Sequence, residues 1–205
     1  PDLFLTTPLT NPEVSSTLED MGVKVFMLNQ AETYDDIKKS IVKLGNLVNE
    51  KEKSAAILQK MEAGEKALAE KLAVIPKDKQ KLAIQLTYSG TYGMLQNIFG
   101  MLCDLAHVKN GMAIMPVRAS MPVSKEKIVE LNPDVLLLPS WDAKGSQNSD
   151  TYFKQFKEDP AYKDLTCIKA NAVYKFPERY RYCTSQHILE GAEYMAKLVY
   201  PEYLH

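Results

Sequence analysis

The sequence predicts an α/β fold: two lobes built on parallel sheets and joined by a long α-helix, with the first lobe incomplete. Three observations predict it. Strand-like apolar runs alternate with stretches of helical periodicity, the pattern of parallel β-α-β units. A phrase of Pro-Asp, an apolar run and small hydroxyl residues occurs twice, as "PDLFLTT" from Pro1 and "PDVLLLPS" from Pro133. Between the copies lies a helical stretch of about 40 residues, roughly 60 Å if unbroken at 1.5 Å per residue, which is too long for a crossover helix in one compact unit.

The elements follow in order. "LFLTT" reads as a buried strand. Asn11 and Pro12 start a helix over Glu13 to Met21, and Gly22 caps its end. "VKVFML" is the next strand. Thr33 and Asp36 form a capping box, and Ile37, Ile41, Leu44 and Val48 follow at helical spacing. A polar break, "NEKEK", leads to a second stripe of Ala55, Leu58, Met61, Leu68 and Leu72, ended by Pro76. The stripe is not a sustained heptad, so a spine between lobes is expected rather than a coiled-coil arm. The division expected is 1–32 for a remnant of an N-terminal lobe, 33–75 for the interlobe helix and 76–205 for a C-terminal lobe. In that lobe "KLAIQLTY" is a strand, "SGTYG" a loop, and Met94 to Ala106 an apolar helix. Met112 to Pro122 is irregular. Ser124 caps a helix over "SKEKIVEL", "DVLLL" is a buried strand, and a polar loop runs from Pro139 to Asp150. "YFKQFKED" is a helix, Ala170 to Ala172 a turn, and Val173 to Phe176 a strand. Thr184 or Ser185 caps a last helix with Ile188, Ala192, Met195 and Val199 on one face.

Composition excludes several function classes. The 205 residues carry a net charge of −1, which gives no electrostatic case for nucleic acid. No apolar run approaches the roughly 20 residues of a membrane span. The three cysteines, Cys103, Cys167 and Cys183, fit neither a zinc pattern nor a disulfide framework; one disulfide stays open, with buried or incidental thiols the simpler reading. His107, His187 and His205 share no metal-ligand spacing. The phosphate-binding and nucleophile-elbow motifs are missing from the sequence. No catalytic residue, metal ligand or resident cofactor is assigned.

Longer stretches resemble a known family. "MPVSKEKIVELNPDVLLLPS" resembles the C-lobe signature of ABC-transporter substrate-binding proteins that capture ferric siderophores, haem or cobalamin. "AETYDDIKKSIVKLGNLVNEKEKSAAILQKM" resembles the start of their interlobe helix, and "DPAYKDLTCIKANAVYKF" and "LEGAEYMAKLVYPEYL" resemble their final strand approach and terminal helix. The resemblance implies two Rossmann-like lobes, a ligand cleft between them, and further strands before the one that opens this chain, making it N-terminally truncated. It implies an extracytoplasmic solute-binding protein, periplasmic or lipid-anchored at the outer face of the cytoplasmic membrane, that delivers its cargo to an ABC permease. The cargo expected first is an iron complex, a ferric siderophore; haem or cobalamin is the alternative. An α/β enzyme such as a chelatase-like protein is the alternative of another class.

Ligands of parallel α/β sheets bind at the carboxyl ends of strands, and three loops of the second lobe qualify. They supply Tyr88, Ser89 and Tyr92; Ser140 and Trp141; and Arg179, Tyr180, Arg181 and Tyr182. Arg118 joins them because all three arginines, Arg118, Arg179 and Arg181, lie in non-repetitive stretches, whereas the lysines decorate helices. Arg offers a planar fork to carboxylates and stacks on aromatic rings, which suits an anionic chelate. Arg179 and Arg181 alternate, as on an extended strand, and are expected to point to the same side. Taken singly, each aromatic residue also has a packing role open to it. Glu158 is the expected contact for the permease, by the resemblance.

Overall fold

The computed structural model describes residues 1–90, 96–114, 122–142 and 148–204. The chain opens with β1 (Leu3–Thr6), α1 (Pro12–Asp20) and β2 (Lys24–Met27). Asn11 caps α1 through its side-chain oxygen, which accepts from the Glu13 amide at 3.0 Å. Gly22 closes the turn at φ 80°, a conformation that Gly adopts without steric cost. β1 and β2 pair in parallel from Leu3 with Lys24 to Thr6 with Met27. This unit is thinly packed: α1 has no buried residue, and Leu5, Leu9 and Met27 are exposed.

α2 (Tyr34–Leu47) begins at the expected capping box, where Thr33 and Asp36 bond reciprocally. The single spine expected over 33–75 is corrected here. α2 ends at a Schellman motif: Asn49 takes φ 57°, Glu50 N donates to Gly45 O at 2.7 Å, and Asn49 N donates to Asn46 O at 3.4 Å. The chain then turns back into α3 (Lys51–Leu72), which packs antiparallel on α2. Gly45 lies against Ser54, and Lys38 reaches Glu65 at 3.9 Å. The element that leads into the second unit is therefore α3 alone, 22 residues and about 33 Å long.

The second unit runs β3 (Leu82–Gln85), α4 (Gln96–Leu105), β4 (Lys109–Asn110), α5 (Gly111–Ile114), α6 (Lys125–Leu131), β5 (Val135–Pro139), α7 (Ser149–Glu158), α8 (Thr166–Lys169), β6 (Val173–Phe176), α9 (Glu178–Arg181) and α10 (Ile188–Val199). Its sheet is four strands wide in the order β4-β3-β5-β6, all parallel. β5 is buried at every residue, which is why "VLLLP" carries no polar alternation. The acid of its Pro-Asp phrase has a structural use: Asp134 accepts from the Leu82 amide at 2.7 Å and fixes where β3 starts. Successive strand residues face opposite sides, and β6 shows what covers each. Phe176 meets Tyr194 of α10 at 5.9 Å between ring centres, whereas Lys175 reaches Asp150 of α7 at 2.5 Å. Helices thus cover both faces. α10 buries Ile188, Ala192, Met195 and Val199 as its spacing predicts, against α3 and α4. No side chain caps α10; neither Thr184 nor Ser185 does so, because His187 occupies the N-cap position.

Candidate functional site

Parallel strands deliver their exits to one end of a sheet, and the loops that leave β3, β5 and β6 meet there. Beyond β3, Tyr88 packs edge-on to Trp141 at 5.8 Å between ring centres and beside Tyr152 of α7 at 5.2 Å. The Tyr88 hydroxyl donates to the Trp141 carbonyl, and the Tyr152 hydroxyl donates to the Thr87 carbonyl at 3.0 Å. These bonds join the β3 exit to the β5 exit and to α7. Burial raises the Tyr88 hydroxyl above its ordinary pKa, with Asp142 adding to the effect. Trp141 itself is 42% exposed, so one face of this aromatic wall is open. Asp142 ties the β5 exit to the start of α7: its carboxylate accepts from the Ser149 amide at 2.7 Å, which holds its pKa below the usual carboxylate range. Ser89 neighbours this wall, its hydroxyl 3.0 Å from that of Thr87.

Beyond β6 the expectation of an extended segment fails. Residues 178–181 form the single helical turn α9, so Arg179 and Arg181 turn to different sides, not the same one. Arg179 is exposed; its guanidinium lies 4.7 Å from the centre of the Tyr180 ring and donates to the Tyr180 hydroxyl at 3.0 Å. Tyr180 is half-buried beside Tyr194 and Phe176. Tyr182 is exposed. Arg181 is 1% exposed and donates to the Leu86 carbonyl at 2.6 Å, so as placed it offers a ligand no surface. Burial pulls its pKa down, and the charge of Glu178 opposes that. Ser140 donates its amide to Glu178 at 3.3 Å. Tyr92 and Arg118 lie outside the described residues. Glu158 sits exposed near the end of α7, 3.9 Å from Lys154.

The first sheet adds a part that the sequence reading omitted. A cavity of about 320 Å3 lies at the exits of β1 and β2, lined mainly by Thr7, Pro8, Leu9 and by Leu28 to Ala31. Thr184, three residues past Arg181, also lines it, so this cavity brings the first unit against the second. The strand-exit rule that selected the second unit's loops would have selected Thr7 and Asn29 as well. Among the described residues no group of His, Cys, Asp and Glu could hold a metal ion, and all three cysteines are free.

Two units with parallel sheets, one linking helix and a cavity at the exits of the first sheet that Thr184 of the second unit also lines give the frame of the candidate site. Residues 1–180 match the model of the family described as periplasmic binding protein. The chain belongs to that family. Among relatives of this binding protein is an uncharacterized ABC transporter substrate-binding lipoprotein, YvrC, of Bacillus subtilis (strain 168), 24% identical over 208 residues. The match takes in 98% of this chain and 63% of YvrC, so the chain spans less than two thirds of that relative. Two solved structures share the fold. One is a possible iron-binding (periplasmic solute-binding) protein from Staphylococcus epidermidis ATCC 12228, with a TM-score of 0.78 and 20% identity over 98% of this chain and 76% of that one. The other is the periplasmic heme-binding protein RhuT from Roseiflexus sp. RS-1, with a TM-score of 0.81 and 15% identity over 98% and 76%. The family consists of binding proteins that act outside the cytoplasm, so it leaves the enzyme alternative without support.

Proposed function

We propose that this binding protein captures an iron complex, a ferric siderophore first of all, between its two units and delivers it to an ABC permease. The observation that carries the reading is the open aromatic wall of Tyr88 and Trp141 at the strand exits, with the exposed Arg179 fork on the next exit. Flat aromatic faces suit the conjugated arms of a metal chelate, and a guanidinium suits its carboxylate or catecholate oxygens. The apolar cavity by Thr184 supports a cargo with an apolar flank. Haem, with a flat apolar body and two carboxylates, answers to the same features and is the second reading; cobalamin is weaker, because it lacks that anionic edge. The linking helix α3 bends less readily than strand hinges, so the cleft works with modest closure, which small-angle scattering would contradict by showing a large contraction on loading.

Thermal unfolding against ferric hydroxamates, ferric catecholates, haemin and cobalamin tests the choice. A cargo at 100 times its Kd stabilises by about 2.7 kcal/mol. The expected result is a clear upward shift with one ferric siderophore class, reduced in Arg179→Ala, whose own stability stays within about 0.5 kcal/mol of the parent because the side chain is exposed. A shift with haemin alone moves the assignment to haem, and no shift with any of them refutes it.

A further inference from the structure

Three of the five buried side-chain atoms that lack a hydrogen-bond partner among the described residues belong to two neighbours on α9: Oε2 of Glu178, and Nε and Nη1 of Arg181. Arg181 is also the bulkiest of the fully buried side chains. Buried polar groups are nearly all paired, and a buried guanidinium is costly to leave short of partners. An apolar pair in place of both Glu178 and Arg181 would be neutral or stabilising there, whereas removing the arginine alone would leave Glu178 without its counter-charge. What the arginine supplies instead is a fixed point.

The bonds around it close into a ring. Arg181 Nη2 donates to the Leu86 carbonyl at the β3 exit. Two residues on, the Tyr88 hydroxyl donates to the Trp141 carbonyl at the β5 exit. One residue before Trp141, the Ser140 amide donates to Glu178. Glu178 returns the ring to Arg181 through the helix turn that carries both. We propose that Arg181 is the positioning residue of the wall: by tying the β3 exit to α9 it sets where Tyr88 meets Trp141. The part this plays in capture rests on the reading of that wall as a contact for cargo.

Trp141 is the one tryptophan of the sequence, so its emission and near-ultraviolet circular dichroism report the wall without any cargo. Arg181→Met and Tyr88→Phe each break one link of the ring. The expected result is the same direction of change in the Trp141 signals for both, little further change in the double variant, and an intact far-ultraviolet spectrum. A folded Arg181→Met with parental Trp141 signals overturns the proposal. If that variant does not fold, Arg181→Lys decides: it keeps the charge but shortens the reach and loses the fork, and should shift the signals part of the way towards Tyr88→Phe, whereas parental signals overturn the proposal. Titration with the cargo selected by thermal shift separates the two readings. Affinity about tenfold weaker in the Arg181 variant is expected from losing a charge-assisted bond behind the wall. Unchanged affinity with altered Trp141 signals would remove the wall from capture and leave Arg181 its positioning role.

Discussion

Two positions separate Arg179 from Arg181, and on a helix turn that spacing sends them to different sides. One lies over the Tyr180 ring with its fork exposed; the other is buried behind the aromatic wall. Their proximity to the strand exits was legible in the sequence, because both follow the last strand in a non-repetitive stretch. Their division of roles was not: "PERYRYC" carries no periodicity long enough to separate a four-residue helix from an extended segment. Asp142 shows the same scale of control by charge. Its pKa is lowered, so the stability it lends the Trp141 loop is present above the usual carboxylate range and is lost as pH falls through the lowered value. As pH falls below the usual carboxylate range, Trp141 emission should shift as the Ser149 bond weakens, and Asp142→Asn should remove that part of the shift. Superimposable acid profiles for parent and variant would show that Asp142 does not hold the loop.

At the scale of elements, the long helical stretch is the instructive case. Its apolar stripes and its polar break were both visible, yet the length and the lack of a sustained heptad favoured a spine between lobes. The reversal depends on Asn49 entering the left-handed region, which Asn tolerates better than most residues but does not announce. A single substitution distinguishes the two arrangements by sign. In an uninterrupted helix Gly45→Ala would stabilise by about 1 kcal/mol. In the hairpin the new methyl would lie 2.5 Å from Ser54 Cβ, so the helices must part. Urea unfolding should show a loss of about 1–3 kcal/mol; a gain would mean that α2 and α3 do not pack as described. The elements that sequence did disclose share a cause, since each carries its own local signal: the capping box of α2, the continuous apolar run of β5 and the four-residue stripe of α10.

For the whole molecule, the exits of the second sheet carry the Tyr88–Trp141 wall and Arg179, and the exits of the first sheet carry a cavity that only Thr184 of the second unit also lines. The first sheet contributes backbone turns and an apolar cavity wall, from Thr7 to Leu9 and from Leu28 to Ala31. That half of the site was missed because its residues are ordinary turn residues, without the arginines and aromatics that marked the other half. Capture between the units is the central proposal, and Trp141 belongs to the aromatic wall on which it rests. The most direct measurement is the fluorescence of Trp141 titrated with ferric siderophores, haemin and cobalamin, with free tryptophan correcting for light absorbed by the ligand. Saturable quenching by a ferric siderophore at micromolar concentration or below, lost in parallel with the thermal shift in Arg179→Ala, is the expected result. Stabilisation by a cargo that leaves Trp141 emission unchanged would place capture elsewhere and contradict the wall.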